Sequence, residues 1–362
     1  MGLYDGIDNS LDNYSAAHLS RVLGVPVILV IDGGGKGTSI AAQVLGYKIF
    51  DPSVNIAGVI INRVSSVKTY NLYKEAIEKY TGIPCLGYLK KDSFFDIESR
   101  HLGLLQAEEV ESLKDKIDSI AQSMRETIDL EGIKKISQLE NNEDKKLHEL
   151  SLFHQYSDRY RGLKVGVAKD RAFSFYYQDN LELLEKFGIE LVEFSPMEDR
   201  AVPRVDFLYF GGGYPENYLK ELNSNQSMIR SVREFYQSGK VILGECGGFM
   251  YLSQGVETLE GKYVELCGIA DCKITMGKRL DIGRFGYVNL SMDGKLGKAH
   301  EFHYSKITEA GKMELKYLLT KADGREWKCG YSDKNFIAGY PHLHFFGSME
   351  ILENLLGKIK GE

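Results

Sequence analysis

The sequence predicts an α/β protein built from two domains, each with a parallel sheet. Apolar β-branched runs alternate with helical segments through residues 26–89, the pattern of strands joined by crossover helices. A fresh strand pattern opens at Leu163 after a long charged stretch, so a second sheet begins there. The chain has 362 residues, more than one hydrophobic core usually organises. The expected domains are 1–155 and 156–362.

Pro26–Asp32 is a β-branched apolar run of the kind buried on both faces of a parallel sheet. Thr38–Gly46 reads as a helix, Asn55–Val64 as a strand, Val67–Tyr80 as a helix and Cys85–Leu89 as a short strand. Ligands of such sheets bind beyond the carboxyl ends of the strands. Asp32, Asn62 and Arg63 stand at these ends, where Asn62 is either a strand-end cap or a reader of a nucleotide base. Residues 104–150 form a polar helical stretch and a solvated linker, with Glu140-Asn-Asn-Glu-Asp144 as a charge-rich break. In the second half, Leu163–Ala168, Ile189–Phe194 and Phe207–Phe210 are strands, and Tyr177–Phe187, 226–238 and 347–360 are helices. The 263–305 region is rich in β-type residues.

The net charge is −6 with both signs interspersed, which argues against a nucleic-acid surface. No apolar run is long enough to span a membrane. The five cysteines form no Cys-x-x-Cys pair, so neither a zinc site nor a disulfide framework is expected, and a reducing, cytoplasmic setting fits. His300-Glu-Phe-His303 lacks a cysteine or aspartate placed to complete a metal shell, so no metal site is expected there.

The chemistry concentrates in three segments. Val241-Ile-Leu-Gly-Glu-Cys-Gly-Gly-Phe-Met-Tyr251 is a strand that runs through a cysteine into a Gly-Gly helix start, the pattern of a nucleophile elbow. The helix start offers N–H groups and a positive dipole end, which favour a thiolate at Cys246 and a developing oxyanion. Leu208-Tyr-Phe-Gly-Gly-Gly-Tyr-Pro-Glu216 is a second strand into a glycine turn. The N–H groups of Gly212, Gly213 and Gly247 are the candidate oxyanion donors. Ala338-Gly-Tyr-Pro-His-Leu-His-Phe-Phe346 places His342 and His344 on one side of an extended chain. One of them serves as base for Cys246 and the other orients it.

These segments resemble the class I glutamine amidotransferase domain of the cobyrinate a,c-diamide synthase family. Met1-Gly-Leu-Tyr-Asp-Gly6, Arg100-His-Leu-Gly-Leu104, Ala168-Lys-Asp-Arg-Ala-Phe-Ser-Phe-Tyr-Tyr177, Phe194-Ser-Pro196 and His300-Glu-Phe-His-Tyr-Ser305 match the same family. The resemblance runs from end to end. It implies a P-loop-like ATP-dependent synthetase domain followed by the amidotransferase domain. It makes Cys246 the nucleophile and His342 the histidine that activates it. His344 stands where many class I amidotransferases carry a glutamate, so a Cys-His-Glu triad is not expected. The 300–305 segment is expected to shape the amidotransferase pocket. Tyr4, Asp5, Asp32 and Asn62 fall on the nucleotide and substrate side. ATP and Mg²⁺ are implied as cofactors, glutamine and a corrinoid or related tetrapyrrole as substrates, and a homodimer as the assembly.

The chain departs from the family in one respect: it has no Gly-x4-Gly-Lys-Ser/Thr phosphate loop. The sequence therefore reads as a family member beginning after that loop, through a truncated reading frame or as a natural half enzyme. Asp32-Gly-Gly-Gly-Lys-Gly-Thr-Ser39 has the strand–glycine–helix order but not the spacing, and is read as a plain turn with a helix cap. Three alternatives remain at this point. The chain is a glutaminase without its synthetase or an inactive partner; it is a nickel-sirohydrochlorin a,c-diamide synthase; or it is a peptidase or deglycase of the same fold. Those peptidases and deglycases carry a histidine directly after the cysteine, where this chain has Gly247.

Overall fold

Chain contacts divide the molecule into Met1–Asn142 and Glu143–Glu362. The computed structural model describes residues 2–7, 10–12, 14–92, 94, 99–100, 103–104, 110, 112–138, 156, 159–333 and 335–360. Residues 101–102 of the Arg100–Leu104 motif fall outside the described residues, as do the charge-rich break and the expected boundary at 155.

In the N-terminal unit, β1 (Val27–Asp32), β2 (Ile56–Val64) and β3 (Cys85–Lys90) form a parallel sheet in that order. The first three helices are α1 (Ala16–Leu23), α2 (Ser39–Phe50) and α3 (Val67–Thr81). Ser15 and Ser66 cap α1 and α3 by accepting the His18 and Thr69 N–H groups. Gly24 and Gly82 end the same helices in the left-handed conformation. These helices cover one sheet face, where Ile31, Ile40, Val44, Val59, Ile61 and Ile77 pack together. The expected burial of the β1 run on both faces does not hold. β1 is an edge strand, and Val30 is 61 % exposed.

The expected long solvated helix is in fact two helices, α4 (Leu113–Thr127) and α5 (Leu130–Ile136). The break between them is a packing event. Ile128 turns inward onto Ile60 and Leu86, and the Asp129 N–H donates to the Leu86 carbonyl at 2.7 Å. Asp129 then caps α5 through the Gly132 N–H. One buried isoleucine, worth about 1.5–3 kcal/mol, outweighs the uninterrupted helical pattern.

The C-terminal unit carries β4 (Lys164–Ala168), α6 (Gln178–Lys186), β5 (Glu190–Phe194), β6 (Phe207–Phe210), α7 (Leu219–Ser224), α8 (Gln226–Gln237), β7 (Val241–Glu245) and α9 (Gly247–Leu252). There follow β8 (Ser253–Glu257), β9 (Tyr263–Glu265), β10 (Ala270–Met276), β11 (Gly286–Met292), β12 (Lys295–Glu301) and β13 (Ser305–Ala310). The last elements are β14 (Glu314–Thr320), β15 (Glu326–Asp333), β16 (Phe336–Gly339), β17 (His342–Leu343) and α10 (Met349–Lys360).

Ten strands form one sheet in the order β17-β12-β11-β14-β15-β16-β7-β6-β4-β5. The last five strands of this order are mutually parallel, as expected. The first five join it through antiparallel pairings, so the sheet is mixed rather than purely parallel. A second, four-stranded sheet has the order β9-β8-β10-β13.

Every residue of β6 and β7 is buried, because helices lie on both faces. Phe249, Met250, Ile229 and Val232 pack on one side, and Leu183, Leu184, Leu352 and Leu355 on the other. Only Tyr340 and Pro341 separate β16 from β17, although these strands stand far apart in the order. A linker that short spans roughly 10 Å, so the antiparallel strands must curl until β17 returns beside the carboxyl end of β7.

Candidate active site

The elbow forms at the carboxyl end of β7. Cys246 has φ 48° and ψ −101°, a conformation that costs a residue with a side chain about 1–3 kcal/mol. Two backbone hydrogen bonds hold it. The Cys246 N–H donates to the Gly339 carbonyl at 2.8 Å, and the Gly248 N–H to the Gly211 carbonyl at 2.9 Å. The thiol is buried, and its Sγ lies 3.6 Å from the Phe302 carbonyl. The 300–305 segment therefore lies against Cys246. The surroundings of Cys246 oppose the helix-favoured thiolate. Burial pushes the thiol pKa well up, the Glu216 carboxyl adds to this, and the Gly247 N–H offsets only part.

The glycine turn after β6 supports the site in two ways. A side chain at Gly212 would meet Cε1 of His342 at 2.3 Å, so the imidazole lies directly on that backbone. Gly213 has φ 152°, and a side chain there would strike the Ala172 carbonyl. Of the three expected oxyanion donors, Gly212 is already committed, because its N–H donates to the Phe175 carbonyl at 3.1 Å. Gly213 and Gly247 remain as donors. They adjoin each other, since a side chain at Gly247 would come within 3.0 Å of the Gly213 nitrogen. The Ala168–Tyr177 and Phe194–Pro196 motifs buttress this turn. Asp170 accepts from the Ala172 N–H, the Ser195 hydroxyl and the Met197 N–H, and the Tyr176 hydroxyl accepts from the Gly211 N–H.

His342 is buried between Gly212 and Phe175, whose ring meets it edge-on at 4.7 Å. Its chain enters this region because β16 and β7 run in register, Gly339 beside Glu245, and both chains continue from there. Burial lowers its pKa to about 3, helped by His300 and His303. Nδ1 of His342 makes no hydrogen bond. His344 does not orient it. The His344 ring is part-exposed, lies against Tyr177 and places Nε2 3.8 Å from Asp179. Both environments thus favour the uncharged forms, the thiol and the neutral imidazole.

The sequence reading gave no individual role to several polar groups at the site. Glu245 is buried, and burial raises its pKa to about 8. Its Oε2 accepts from the Tyr209 hydroxyl at 2.8 Å, and its Oε1 from the Leu343 N–H at 2.9 Å. Glu216, two residues beyond the glycine-turn tyrosine, has its pKa raised to about 7 by burial. Glu301 is fully buried and bonds Nε2 of His303 at 3.0 Å, while Nδ1 of that histidine meets the Ser305 carbonyl at 2.7 Å. Both ring nitrogens of His303 therefore have oxygen partners. The His303 ring stacks on Tyr340 at 3.7 Å. Adjacency to Cys246 was the available signal for Glu245, and the quoted motifs contained Glu216, Glu301 and His303 without marking their burial or partners.

The N-terminal residues form two separate groups. Asp32 accepts from the Gly34 N–H and pairs with Arg63, which holds its carboxyl below the usual range. Asn62 accepts from the Arg63 N–H at 2.9 Å and so acts as a strand-end cap. Tyr4 instead donates to the Tyr47 carbonyl and packs on Phe50 at the last turn of α2, while Asp5 accepts from the Gly2 N–H. Asp32 precedes the first turn of α2, a 12-residue helix roughly 18 Å long.

The residues that would cradle a nucleotide phosphate do not fit that task. The Gly33 N–H donates to the Asn62 carbonyl, the Gly34 N–H to Asp32, and Lys36 to Gln43 at 2.7 Å. The segment is a turn, as the sequence suggested, but Thr38 makes no capping hydrogen bond. Among the described residues, no three His, Cys, Asp or Glu side chains are grouped to hold a metal ion, and no helix is long and apolar enough to cross a membrane. All five cysteines are free.

The profile of the CobB/CobQ-like glutamine amidotransferase domain matches residues 164–349. The chain is 54 % identical over 361 residues to a cobyrinate a,c-diamide synthase of Fusobacterium nucleatum, covering 98 % of this chain and 81 % of that protein. It is 40 % identical over 368 residues to the synthase of that name from Listeria innocua, covering 99 % of this chain and 79 % of the other. The corresponding Salmonella typhimurium protein is 37 % identical over 369 residues, covering 98 % and 78 %. A solved glutamine amidotransferase aligns with 54 % of this chain and 98 % of its own at 16 % identity and TM-score 0.41, too distant a likeness to carry an argument. With these identities and this coverage, the chain belongs to the cobyrinate a,c-diamide synthase family of glutamine-hydrolysing carbon–nitrogen ligases.

Proposed function

We propose that the C-terminal unit releases ammonia from glutamine at Cys246, for amidation of the a and c carboxylates of cobyrinate or a related tetrapyrrole. The observation that carries this reading is the elbow itself: Cys246 at positive φ, next to the Gly247 N–H and the adjoining Gly213 N–H, with the buried His342 imidazole against Gly212. The thiol sulfur attacks the side-chain amide carbon of glutamine as His342 takes its proton. The Gly213 and Gly247 N–H groups receive the oxyanion, a contribution of about 10²–10³-fold in rate for one such donor. The carbon–nitrogen bond breaks, His342 returns its proton to the leaving nitrogen, and ammonia departs. Water then attacks the thioester, with His342 taking its proton. Glutamate leaves, and the proton returns to the sulfur.

The relatives' name supplies the acceptor class. ATP and Mg²⁺ are proposed on family grounds alone, and no step is derived through them, because the 32–38 turn does not form a phosphate cradle. That same turn favours a second reading, glutaminase activity without coupled amidation. Initial rates of glutamate release, with and without Cys246→Ala, test the nucleophile. Mass analysis of cobyrinate, hydrogenobyrinate and nickel-sirohydrochlorin after incubation with glutamine, ATP and Mg²⁺ tests the acceptor. An unchanged rate in the variant rejects the first part. Glutamate release with no amidated product supports the second reading.

A further inference from the structure

His342 lies on a strand of two residues, too short to hold its own position. On one edge β17 pairs with β12, His342 opposite His300, and the His344 N–H donates to the Lys298 carbonyl. That pairing engages alternate residues, so the N–H and C=O of Leu343 point the other way. Among the described residues, no strand meets them there. Two buried side chains do so instead. Glu245 accepts from the Leu343 N–H at 2.9 Å, and Asn180 donates to the Leu343 carbonyl at 2.7 Å while accepting from the Phe345 N–H at 2.8 Å. Asn180 is fully buried on α6, and the Tyr209 hydroxyl steadies the second Glu245 oxygen. Glu245 is also the residue before the nucleophile, so one side chain ties the elbow directly to the chain that carries the imidazole.

We infer that Glu245 and Asn180 are positioning residues that together replace a missing strand and fix His342 against Cys246. The inference rests on the glutaminase reading above. Neither side chain touches the reacting atoms; each acts through the backbone of Leu343. A displacement of about 1 Å at such a group costs on the order of 10²-fold in rate.

The test is steady-state glutamine hydrolysis by the full chain, with thermal midpoints measured in parallel. Glu245→Ala is expected to lower kcat about 100-fold with KM changed less than about threefold. Glu245→Gln restores kcat to within about tenfold of the parent, because its amide oxygen still accepts from Leu343 and the Tyr209 hydroxyl can turn to accept from its amide. Asn180→Asp keeps the acceptor for Phe345 but loses the donor to Leu343, and is expected to lower kcat about tenfold. Val241→Ala, at the far end of β7, controls for general destabilisation and should lower the midpoint without this loss of kcat.

Parent-like kcat in Glu245→Ala overturns the inference. So does a Glu245→Gln variant no better than the alanine, or a Val241→Ala variant with the same kcat loss. Should Glu245→Ala fail to fold, Asn180→Asp decides alone: parent-like kcat there overturns the clamp. Undiminished hydrolysis by Cys246→Ala instead removes the reading beneath it, so the two failures are distinct.

Discussion

Both units end parallel strands in polar residues, and the two sets of strand ends are built differently. At the end of β7 and β16 the backbone is held in a costly conformation and the side chains are buried. At the end of β1 and β2 the Asp32–Arg63 pair is largely exposed, with 42 % and 59 % of the side chains accessible. Helices close both faces of β7, whereas β1 is an edge strand. The same strand-to-helix grammar gives a fixed chemical geometry where packing surrounds it, and a solvated ion pair where packing does not.

Four perturbations separate these two kinds of strand end. His342→Ala should show the largest effect, a loss of about 10²–10⁴-fold in glutaminase kcat, the range for a missing general base. A parent-like rate would place the base elsewhere. Gly212→Ala comes next. Its new methyl group would overlap the imidazole, and the ring must move; kcat is expected to fall on the order of 10²-fold at a stability cost of about 1–3 kcal/mol. Retained activity would mean that the ring is not confined there.

The third perturbation is pH. Folded His342 stays neutral down to about pH 3, while the unfolded imidazole takes a proton near pH 6.5, so its stabilising contribution is lost as pH falls through that window. Folded Glu245 keeps its proton up to about pH 8, while the unfolded carboxyl releases it near pH 4.5, so stability is lost as pH rises between those values. Each effect is on the order of 3–5 kcal/mol. Glu245→Gln should therefore gain stability relative to the parent between pH 5 and pH 8 (about the titration window). A constant difference in thermal midpoint would show that the carboxyl does not titrate there. The smallest effect belongs to Asp32→Asn. It should shift the midpoint by no more than about 1 °C and leave glutamine hydrolysis unchanged. A large shift would make the exposed pair a structural element and erase the contrast.

What the sequence revealed follows the same division. The elbow was legible because strand, cysteine and glycines are contiguous, and the turn geometry is set within a few residues. The helices and strands flanking it were legible for the same reason. The commitment of the Gly212 N–H was not, because its partner, the Phe175 carbonyl, comes from a distant loop. Glu245 carried no assigned role, because its partner Leu343 is brought to it only by the curl of the sheet. His344 shared a side with His342 by spacing, but Asp179 and Tyr177 lie on its own side of the chain. The break at Ile128 was hidden within a helical pattern whose local propensity was overridden by one buried contact.

Peptide mass spectrometry of acid-quenched enzyme after mixing with glutamine tests the central claim most directly. A γ-glutamyl thioester on Cys246, absent from Cys246→Ala and accumulating in step with turnover, is the predicted result. A glutamyl adduct on another residue, or turnover with Cys246 unmodified throughout, would contradict it.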